Sequence, residues 1–163
     1  MKILAIDPGP EQSGVMLYDG HTNTPSDVHG VLSNLVIEDA VELFKDADSV
    51  AIEMIASYGM PVGRDVFETC LWIGRFIGVC RTVGRPYQLV YRKDVKLHLC
   101  GSPRAKDSNI RQALIDRFGP GKEKAIGLKK TPGPLYGVKS HVWAALAVAV
   151  THLDTSTERQ DGA

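Results

Sequence analysis

The chain has 163 residues, 44% of them hydrophobic and 23% charged, with a formal net charge of zero at pH 7, which is typical of one soluble globular domain with a sizeable core. No apolar run reaches the length of a membrane span, and the strand pattern that begins at Lys2 leaves no room for a signal peptide, so we expect a cytoplasmic protein. The three cysteines lack CxxC spacing, which favours reduced thiols over disulfides or a zinc site.

The neutral total conceals opposite charges in two parts of the chain. Residues 1–80 hold 4 Lys/Arg against 12 Asp/Glu, a net charge of −8, whereas residues 81–139 hold 14 against 4, a net charge of +10. An acidic part that can hold cations, followed by a basic part, suits a polyanionic partner. The pattern therefore favours nucleic acid.

Five strands are predicted, and two of them carry a carboxylate at or near their end. The first covers residues 2–7 and ends at Asp7, just before the turn Pro8-Gly9. The fourth covers residues 49–55 and carries Glu53. The other three are predicted over residues 13–19, 28–35 and 86–91.

Four helices are predicted, over residues 37–44, 65–83, 106–118 and 140–153. Asp65 and Ser140 are the expected N-caps of the second and the last helix. The helix over residues 65–83 is apolar on more than one side, which predicts either a core helix or a subunit interface. A Gly/Pro/Lys-rich loop is expected over residues 122–139, and one domain over residues 1–154 precedes a disordered tail over residues 155–163.

Asp7, Glu53 and His141 are the candidate metal ligands. If the two strands are neighbours, their carboxyl ends place both carboxylates in one crevice of an α/β sheet. His141 lies in the first turn of the predicted last helix and adds an imidazole. Such a set can hold divalent cations that activate a water and stabilise the departing oxygen of a phosphodiester.

Four motifs follow one another along the chain: ILAIDPG at residues 3–9, SGV at residues 13–15, VAIE at residues 50–53 and SHVWAALAVA at residues 140–149. Together they resemble RuvC-like Holliday-junction resolvases, and the small phage-type members most. The resemblance covers residues 2–153. It implies an α/β protein with an RNase H-like fold, in which α-helices flank a central five-stranded mixed β-sheet. It also implies a homodimer that nicks four-way DNA junctions in pairs with Mg²⁺, for which Mn²⁺ is a possible substitute.

The resemblance assigns catalytic positions residue by residue. Asp7 and Glu53 match the first two metal-binding carboxylates, and His141 matches the third position, where the family has Asp or His. The fourth position, an Asp three residues later, is Ala144 in this chain. An alanine methyl cannot bind a hard cation, so one metal site is expected to lack a ligand and to bind its cation poorly.

Three explanations of Ala144 are open. The first is that it replaces an original aspartate and yields an inactive variant, and the second is a natural binder that has lost cleavage. The third is that another acid such as Asp154 takes over, although ten residues of helix place Asp154 nearly three turns away.

Basic residues flank the proposed centre and are predicted to contact phosphates without reading sequence. Tyr58, in the loop after Glu53, is a candidate wedge against unstacked bases, with packing against the next helix as the alternative. Trp72 and Trp143 are predicted core or interface residues. The predicted DNA-binding cations are Lys93, Lys96, Arg104, Lys106, Arg111, Lys129, Lys130 and Lys139.

Other functions compete with junction cleavage. A non-catalytic junction-binding protein and an RNase H-like nuclease for other branched DNA or for RNA–DNA hybrids are both compatible with the residues. The hairpin pattern over residues 7–14 also resembles the phosphate-binding hairpin of actin-like and sugar-kinase-type ATPases. Those proteins need two lobes, which 163 residues hardly supply.

Overall fold

A computed structural model describes the backbone of residues 1–161 and the side chains of residues 1–157. Its centre is a mixed sheet of five strands, which are β1 (Lys2–Asp7), β2 (Gln12–Asp19), β3 (Thr24–Ser33), β4 (Ser49–Met54) and β5 (Tyr87–Tyr91). Their order in the sheet is β3-β2-β1-β4-β5. Strands β1, β2 and β3 pair antiparallel, and β4 and β5 join the sheet parallel to β1.

Strand β1 is the apolar centre of the sheet. Ile3, Leu4, Ala5 and Ile6 have no exposed surface, because helices cover both faces. Ile3 and Ala5 pack into one helical layer, and Leu4 and Ile6 pack into the other. The near-continuous hydrophobic run in the sequence is what a strand buried on both faces requires.

Two helical layers enclose this sheet. Helices α1 (Asn34–Asp39), α2 (Val41–Asp46) and α3 (Arg64–Thr82) pack on one face. Helices α4 (Arg92–Cys100), α5 (Asp107–Phe118) and α7 (Val142–Asp161) pack on the other. Between α5 and α7 lie the short helix α6 (Lys122–Ala125) and a hairpin of β6 (Gly127–Leu128) and β7 (Thr131–Pro132). The predicted five-stranded α/β fold is therefore confirmed.

Several boundaries differ from the sequence-based predictions. The helix predicted over residues 37–44 is two helices separated at Ala40, whose N–H bonds to the carbonyl oxygens of Val36 and Ile37 and so ends α1. Helix α3 begins at Arg64 with Gly63 as its N-cap, so Asp65 lies in the first turn instead. Residues 92–100 form a helix where only a basic segment is predicted, and the loop over residues 122–139 contains α6 and the β6–β7 hairpin.

Helix α7 extends through residues 155–161, which belong to the tail predicted over residues 155–163. Neither glycine nor proline occurs between residues 154 and 161 to stop the helix. The Thr155 and Thr157 hydroxyls also donate to carbonyl oxygens four residues earlier, at 2.8 and 3.0 Å. Residues 162 and 163 lie outside the described residues. Across the described chain, no helix combines the length and hydrophobicity needed to cross a membrane.

Candidate functional site

Asp7 and Glu53 lie side by side at one edge of the sheet. Ile6 of β1 pairs with Ile52 of the parallel strand β4, so the carboxylate that follows each isoleucine occupies an equivalent position. The turn after Asp7 is fixed by a polar network. Asn34 donates from Nδ2 to the Gly9 carbonyl at 2.9 Å, and the Ser13 hydroxyl donates to Oδ1 of Asn34. These bonds hold the backbone beside Asp7 in one conformation.

His141 lies just before helix α7 and contacts Asp7. Its Nδ1 donates to Oδ2 of Asp7 at 3.0 Å, and its carbonyl oxygen accepts from the Ala145 N–H at 3.1 Å. His141 therefore precedes the helix, whereas the sequence predicts it inside the first turn. Ser140, predicted as the N-cap, instead adopts a left-handed conformation (φ 51°) that turns the chain into the helix.

Gly14 is the point where strand β2 meets the start of α7. It pairs with Asp7 across the β1–β2 ladder. A Cβ atom at Gly14 would lie 2.5 Å from the carbonyl oxygen of His141 and 2.9 Å from its Cβ. The missing side chain at this position therefore lets the His141 backbone approach the strand that faces Asp7.

The predicted catalytic residues line one open pocket of about 630 Å³. Asp7, Glu53 and His141 are all part of its wall, as is Ala144, which contributes only a methyl group. The structure thus brings the four sequence-predicted positions together. Trp143, predicted to be core or interface, packs partly on the core but also lines this pocket, where the Arg111 guanidinium lies 4.7 Å from its ring centroid.

Two charged residues in this pocket are not among the predicted catalytic residues or metal ligands, although Arg92 belongs to the basic residues expected to contact phosphate. Arg92, at the start of α4, donates from Nη1 to Oε2 of Glu53 at 3.3 Å and from Nη2 to Oδ1 of Asp107 at 2.6 Å. Asp107 is the first residue of α5. Arg92 contacts residues that are 39 and 15 positions away in the chain, so no local pattern predicts these contacts. The available sequence signal is that Arg92 directly follows a predicted strand and Asp107 lies at the start of a predicted helix.

Burial changes the acidity of both central carboxyl groups. Burial raises the pKa of Glu53 to about 7, helped by the nearby negative charge of Asp7 and opposed by Arg92. Burial also raises the pKa of Asp7, although the hydrogen bond from His141 acts in the opposite direction. Two buried carboxylates that repel each other are stabilised by an added positive charge.

The donors fit a divalent cation in kind, since Mg²⁺ and Mn²⁺ prefer carboxylate oxygen and accept imidazole nitrogen. They do not form a ready ligand set, because no three Asp, Glu, His or Cys side chains in the described part of the chain are grouped as a metal site. Asp7 instead contacts His141, and Glu53 contacts Arg92. A cation at Asp7 and Glu53 therefore has to replace these two contacts.

A second groove, of about 280 Å³, lies beside the pocket and shares Arg92 with it. It is lined by Tyr58, Lys93, Lys96 and Pro103 together with Arg92. Tyr58 is 60% exposed and adopts a left-handed conformation (φ 48°) in a tight turn, so its ring projects from the loop instead of packing into the core. Three of the predicted DNA-binding residues thus form one surface beside the carboxylates.

The other predicted DNA-binding residues are more widely spread. Arg111 lines the main pocket, Lys106 is the exposed N-cap of α5, and Lys139 is exposed two residues before His141. Arg104 is exposed between α4 and α5. Lys129 and Lys130 form the exposed tip of the β6–β7 hairpin. All are exposed, and their contact with DNA remains a prediction.

Asp154 does not line the pocket that contains Ala144. Its carboxylate accepts from Arg117 at 2.7 and 2.9 Å and from His98 at 2.8 Å. These hydrogen bonds outweigh partial burial and keep the pKa of Asp154 below its usual value. The structure therefore disfavours Asp154 as a replacement for an acid at position 144.

Comparison with known proteins gives structural matches only. No family model and no curated protein sequence matches the chain. The Thermus thermophilus RuvC structure matches with a TM-score of 0.69 and 19% identity, over 97% of this chain and 96% of that one. T. thermophilus RuvC in complex with a Holliday junction substrate also matches with a TM-score of 0.69, at 18% identity, over 96% and 94% of the two chains.

The fowlpox virus Holliday junction resolvase matches with a TM-score of 0.52 and 14% identity, over 95% of this chain and 99% of that one. Structural similarity of this degree establishes a shared fold, and sequence identities this low leave the activity open. The resemblance to phage-type members in particular stays a prediction. The chain therefore has the RNase H-like fold of the RuvC-type Holliday-junction resolvases that its motifs resemble.

Proposed function

We propose that this chain is a structure-selective endonuclease that resolves four-way DNA junctions by paired nicking with Mg²⁺, or with Mn²⁺ as a substitute. The observation that carries this proposal is the meeting of Asp7, Glu53 and His141 in one pocket of a RuvC-type fold. The basic and aromatic groove beside that pocket supports a nucleic-acid substrate.

Asp7, Glu53 and His141 are the proposed metal ligands. Divalent ions bound by them would supply the attacking water and stabilise the charge on the departing oxygen of the phosphodiester. Asp7 and Glu53 must be ionised for this role, and Glu53 with a pKa of about 7 is only partly ionised at neutral pH without a bound cation. The hydrogen bond from Asn34 to the Gly9 carbonyl fixes the turn beside Asp7, and the close approach of His141 to Gly14 fixes the position of His141.

Phosphate contacts are proposed for the basic residues around the site. Arg111 lines the pocket that contains the carboxylates, and Lys93 and Lys96 line the groove that adjoins it. Arg104, Lys106, Lys129, Lys130 and Lys139 would extend the basic surface toward the arms of a junction. Tyr58 is the proposed stacking residue, since an exposed ring on a tight turn can pack against an unpaired base.

Ala144 favours a second candidate, a junction-binding protein that cuts poorly or not at all. The methyl group lines the pocket where the resemblance expects a carboxylate. We propose that cleavage is impaired by this alanine, because a two-metal centre loses an oxygen ligand there.

The test is nicking of a labelled four-way junction with Mg²⁺ by this protein and by its Ala144→Asp variant, with duplex, flap and RNA–DNA hybrid as competing substrates. We expect symmetrical nicks in opposed strands of the junction, and a rate at least about tenfold higher for Ala144→Asp because a metal ligand is added. Asp7→Asn in the Ala144→Asp background is the control, and it must abolish cutting.

The outcomes separate the candidate functions. Equal rates with alanine and aspartate at position 144 would show that this position is not a ligand. Tight junction binding without nicking by either protein would favour the binding protein. Cutting of flaps or hybrids as fast as junctions would favour an RNase H-like nuclease of broader range.

A homodimer is also part of the proposal, and the outer face of α3 is its proposed contact. Phe67 and Leu71 are 61% and 70% exposed there. Gly74 and Gly78 follow on the same face, and a Cβ atom at either glycine would meet no atom within 4 Å. This face, Phe67-Leu71-Gly74-Gly78, lets a second copy of α3 approach closely. Two copies related by a dyad suit the near two-fold symmetry of a four-way junction.

A further inference from the structure

The segment over residues 122–133 surrounds an open cavity of about 910 Å³ that shares no lining residue with the pocket of Asp7 and Glu53. This segment, the hairpin unit, consists of α6, the β6–β7 hairpin and the residues that join them. Glu123 is its one acidic residue. Its basic residues are all exposed, and they are Lys122, Lys124, Lys129 and Lys130. The hairpin unit is therefore a basic surface separate from the carboxylates.

Backbone hydrogen bonds hold the hairpin on α6 and on the core. The Gly133 N–H donates to the Ile126 carbonyl oxygen at 2.9 Å, and the Leu135 N–H donates to the Ala125 carbonyl oxygen at 2.8 Å. Ala125 and Leu135 have no exposed surface and belong to the core layer of α5 and α7. A Cβ atom at Gly133 would collide with the carbonyl oxygens of Lys124 and Ala125, so the two backbones are in contact there. The hairpin unit thus presents its lysines from a fixed support.

The side chains on this support have few partners within the protein. Within the described part of the chain, none of the four lysines forms an ion pair, whereas Lys45 on α2 pairs with Glu42. Leu128, in the same segment, is 72% exposed. Like charges on one surface repel each other, and a polyanion relieves that repulsion. Duplex DNA offers partners to both kinds of side chain, because sugars lie between its phosphates.

The hairpin unit lies at the end of α5 that is far from Asp107. A Cβ atom at Gly119, which follows α5, would lie 2.8 Å from the backbone nitrogen of Ala125, so α6 packs against this end. Asp107, the first residue of α5, lines the pocket instead. The 12 residues of α5 rise about 18 Å, which corresponds to about five base pairs of duplex. A duplex that leaves the pocket along α5 would reach the hairpin unit at that distance.

We propose that the hairpin unit binds a duplex arm of the junction about five base pairs from the branch point, with its lysines on phosphates and Leu128 against the sugars between them. This inference rests on the proposed function and adds a second place of contact with the same substrate. Tyr58 is the proposed contact of an unpaired base, so the branch point lies beside the pocket in this scheme. The hairpin unit holds the arm and takes no part in the chemistry.

The first test compares junction affinities by fluorescence anisotropy in Ca²⁺ across a salt series. In the glutamine variant, which combines four substitutions, affinity should fall at least about tenfold. The slope of log affinity against log salt should fall by about 2 or more, because at least two phosphate contacts are lost at about 0.9 each. The substitutions are Lys122→Gln, Lys124→Gln, Lys129→Gln and Lys130→Gln. The matched control changes the same four lysines to arginine, which keeps the charge and should keep the affinity.

Leu128→Asn tests the contact with the sugars separately. Affinity should fall about threefold because an apolar contact is lost. The salt slope should stay unchanged, since losing this contact releases no counterion.

The second test locates the contact on the DNA. Junctions carry uncharged methylphosphonates in all four arms, about four to seven base pairs from the branch point. On these junctions the glutamine variant should bind less than about threefold more weakly than the unmodified protein, because the phosphates that the lysines contact are already neutral. Methylphosphonates about eleven to fourteen base pairs out are the control, and there the full loss should remain.

Four results would overturn the proposal. Unchanged affinity in the glutamine variant would exclude the hairpin unit from the interface, and tight junction binding by both proteins would leave the proposed function intact. An equal loss with and without the nearer methylphosphonates would show that the lysines act only through net charge. Unchanged affinity in Leu128→Asn, or a changed slope, would contradict the contact with the sugars. Absence of junction binding by the unmodified protein would end the proposed function and this inference together.

Discussion

The Glu53 carboxyl group is buried next to a second carboxyl group, and this placement makes it a weak acid for its type. Its pKa of about 7 lies above the ordinary value of 4.5, chiefly because burial disfavours the charged form. A group whose pKa is raised on folding stabilises the folded state below its ordinary pKa, and this stabilisation is lost as the pH rises through the folded pKa.

The Glu53→Gln substitution should therefore stabilise the metal-free protein in a pH-dependent way. We expect a small effect at pH 4.5 and an increase in the free energy of unfolding of about 3 kcal/mol at pH 8, where the native carboxylate is ionised. Urea unfolding in EDTA at the two pH values measures it. Glu123→Gln, at an exposed position, is the control. A gain that is the same at both pH values would contradict the assigned pKa.

At the scale of single residues, the sequence predicts the parts of the site that follow from strand geometry. Asp7 and Glu53 each follow a buried apolar run, and neighbouring parallel strands bring such positions together. Arg92 and Asp107 could not be predicted in the same way, because their meeting depends on how α4 and α5 pack. Nothing in the local sequence specifies that packing.

Among the elements, helix α4 connects the carboxylates to the proposed DNA surface. Arg92 at its start contacts Glu53, while Lys93 and Lys96 line the groove with Tyr58. Lys93 and Lys96 lie on a helix whose first residue lines the pocket of Asp7 and Glu53, so they would bind phosphates near the scissile one proposed there. Their contribution should be electrostatic and independent of sequence.

Replacing both lysines, Lys93→Gln with Lys96→Gln, should weaken junction binding and its dependence on salt. Each lost phosphate contact lowers the slope of log affinity against log salt by about 0.9, so a reduction of about 2 is expected. Fluorescence anisotropy in Ca²⁺ across a salt series measures this slope. Lys45→Gln is the control, because Lys45 is on α2 and pairs with Glu42. An unchanged slope would exclude α4 from the interface.

The predicted elements are right where one physical signal dominates. The five strands were predictable from apolar runs and turn residues, and the α5 end from Gly119. The bounds of β3 were not: it covers Thr24–Ser33 instead of residues 28–35, because Asn34 already begins α1. Helix α4 was not predictable, because Val95 is its one fully buried residue. With one buried position, the apolar residues do not recur at helical spacing. The end of α7 was misplaced because polar composition is a weak sign of disorder where no helix breaker is present.

In the whole molecule, the acidic and basic parts of the sequence meet at the site. Residues 1–80 supply Asp7 and Glu53 from the sheet, and α4 and α5 bring Arg92, Lys93 and Arg111 next to them. The acidic residues from the first part of the chain and the basic residues from the second part therefore lie side by side at the pocket. A polyanion drawn to the basic side would arrive beside the acids that are the proposed metal ligands.

The proposed dimer can be tested on the outer face of α3. Phe67→Glu with Leu71→Glu should convert the dimer to a monomer, because four buried charges would face each other across the dyad. Sedimentation velocity measures the change, and Leu97→Glu, 52% exposed on α4, is the control. A monomer before any substitution, or a dimer that survives both, would contradict this interface. The monomeric variant should nick one strand at a time, since paired nicking needs two centres.

The bare backbone at Gly14 has a consequence for how this protein tolerates change. A single methyl group there would collide with the His141 carbonyl oxygen, yet Gly14 has no functional group of its own. Moving the start of the last helix outward would separate the imidazole from Asp7 while the β1–β2 ladder could still form. A survey of variants that considers only acidic, basic and cationic residues would overlook Gly14, although the absence of a side chain there keeps the His141 imidazole next to Asp7.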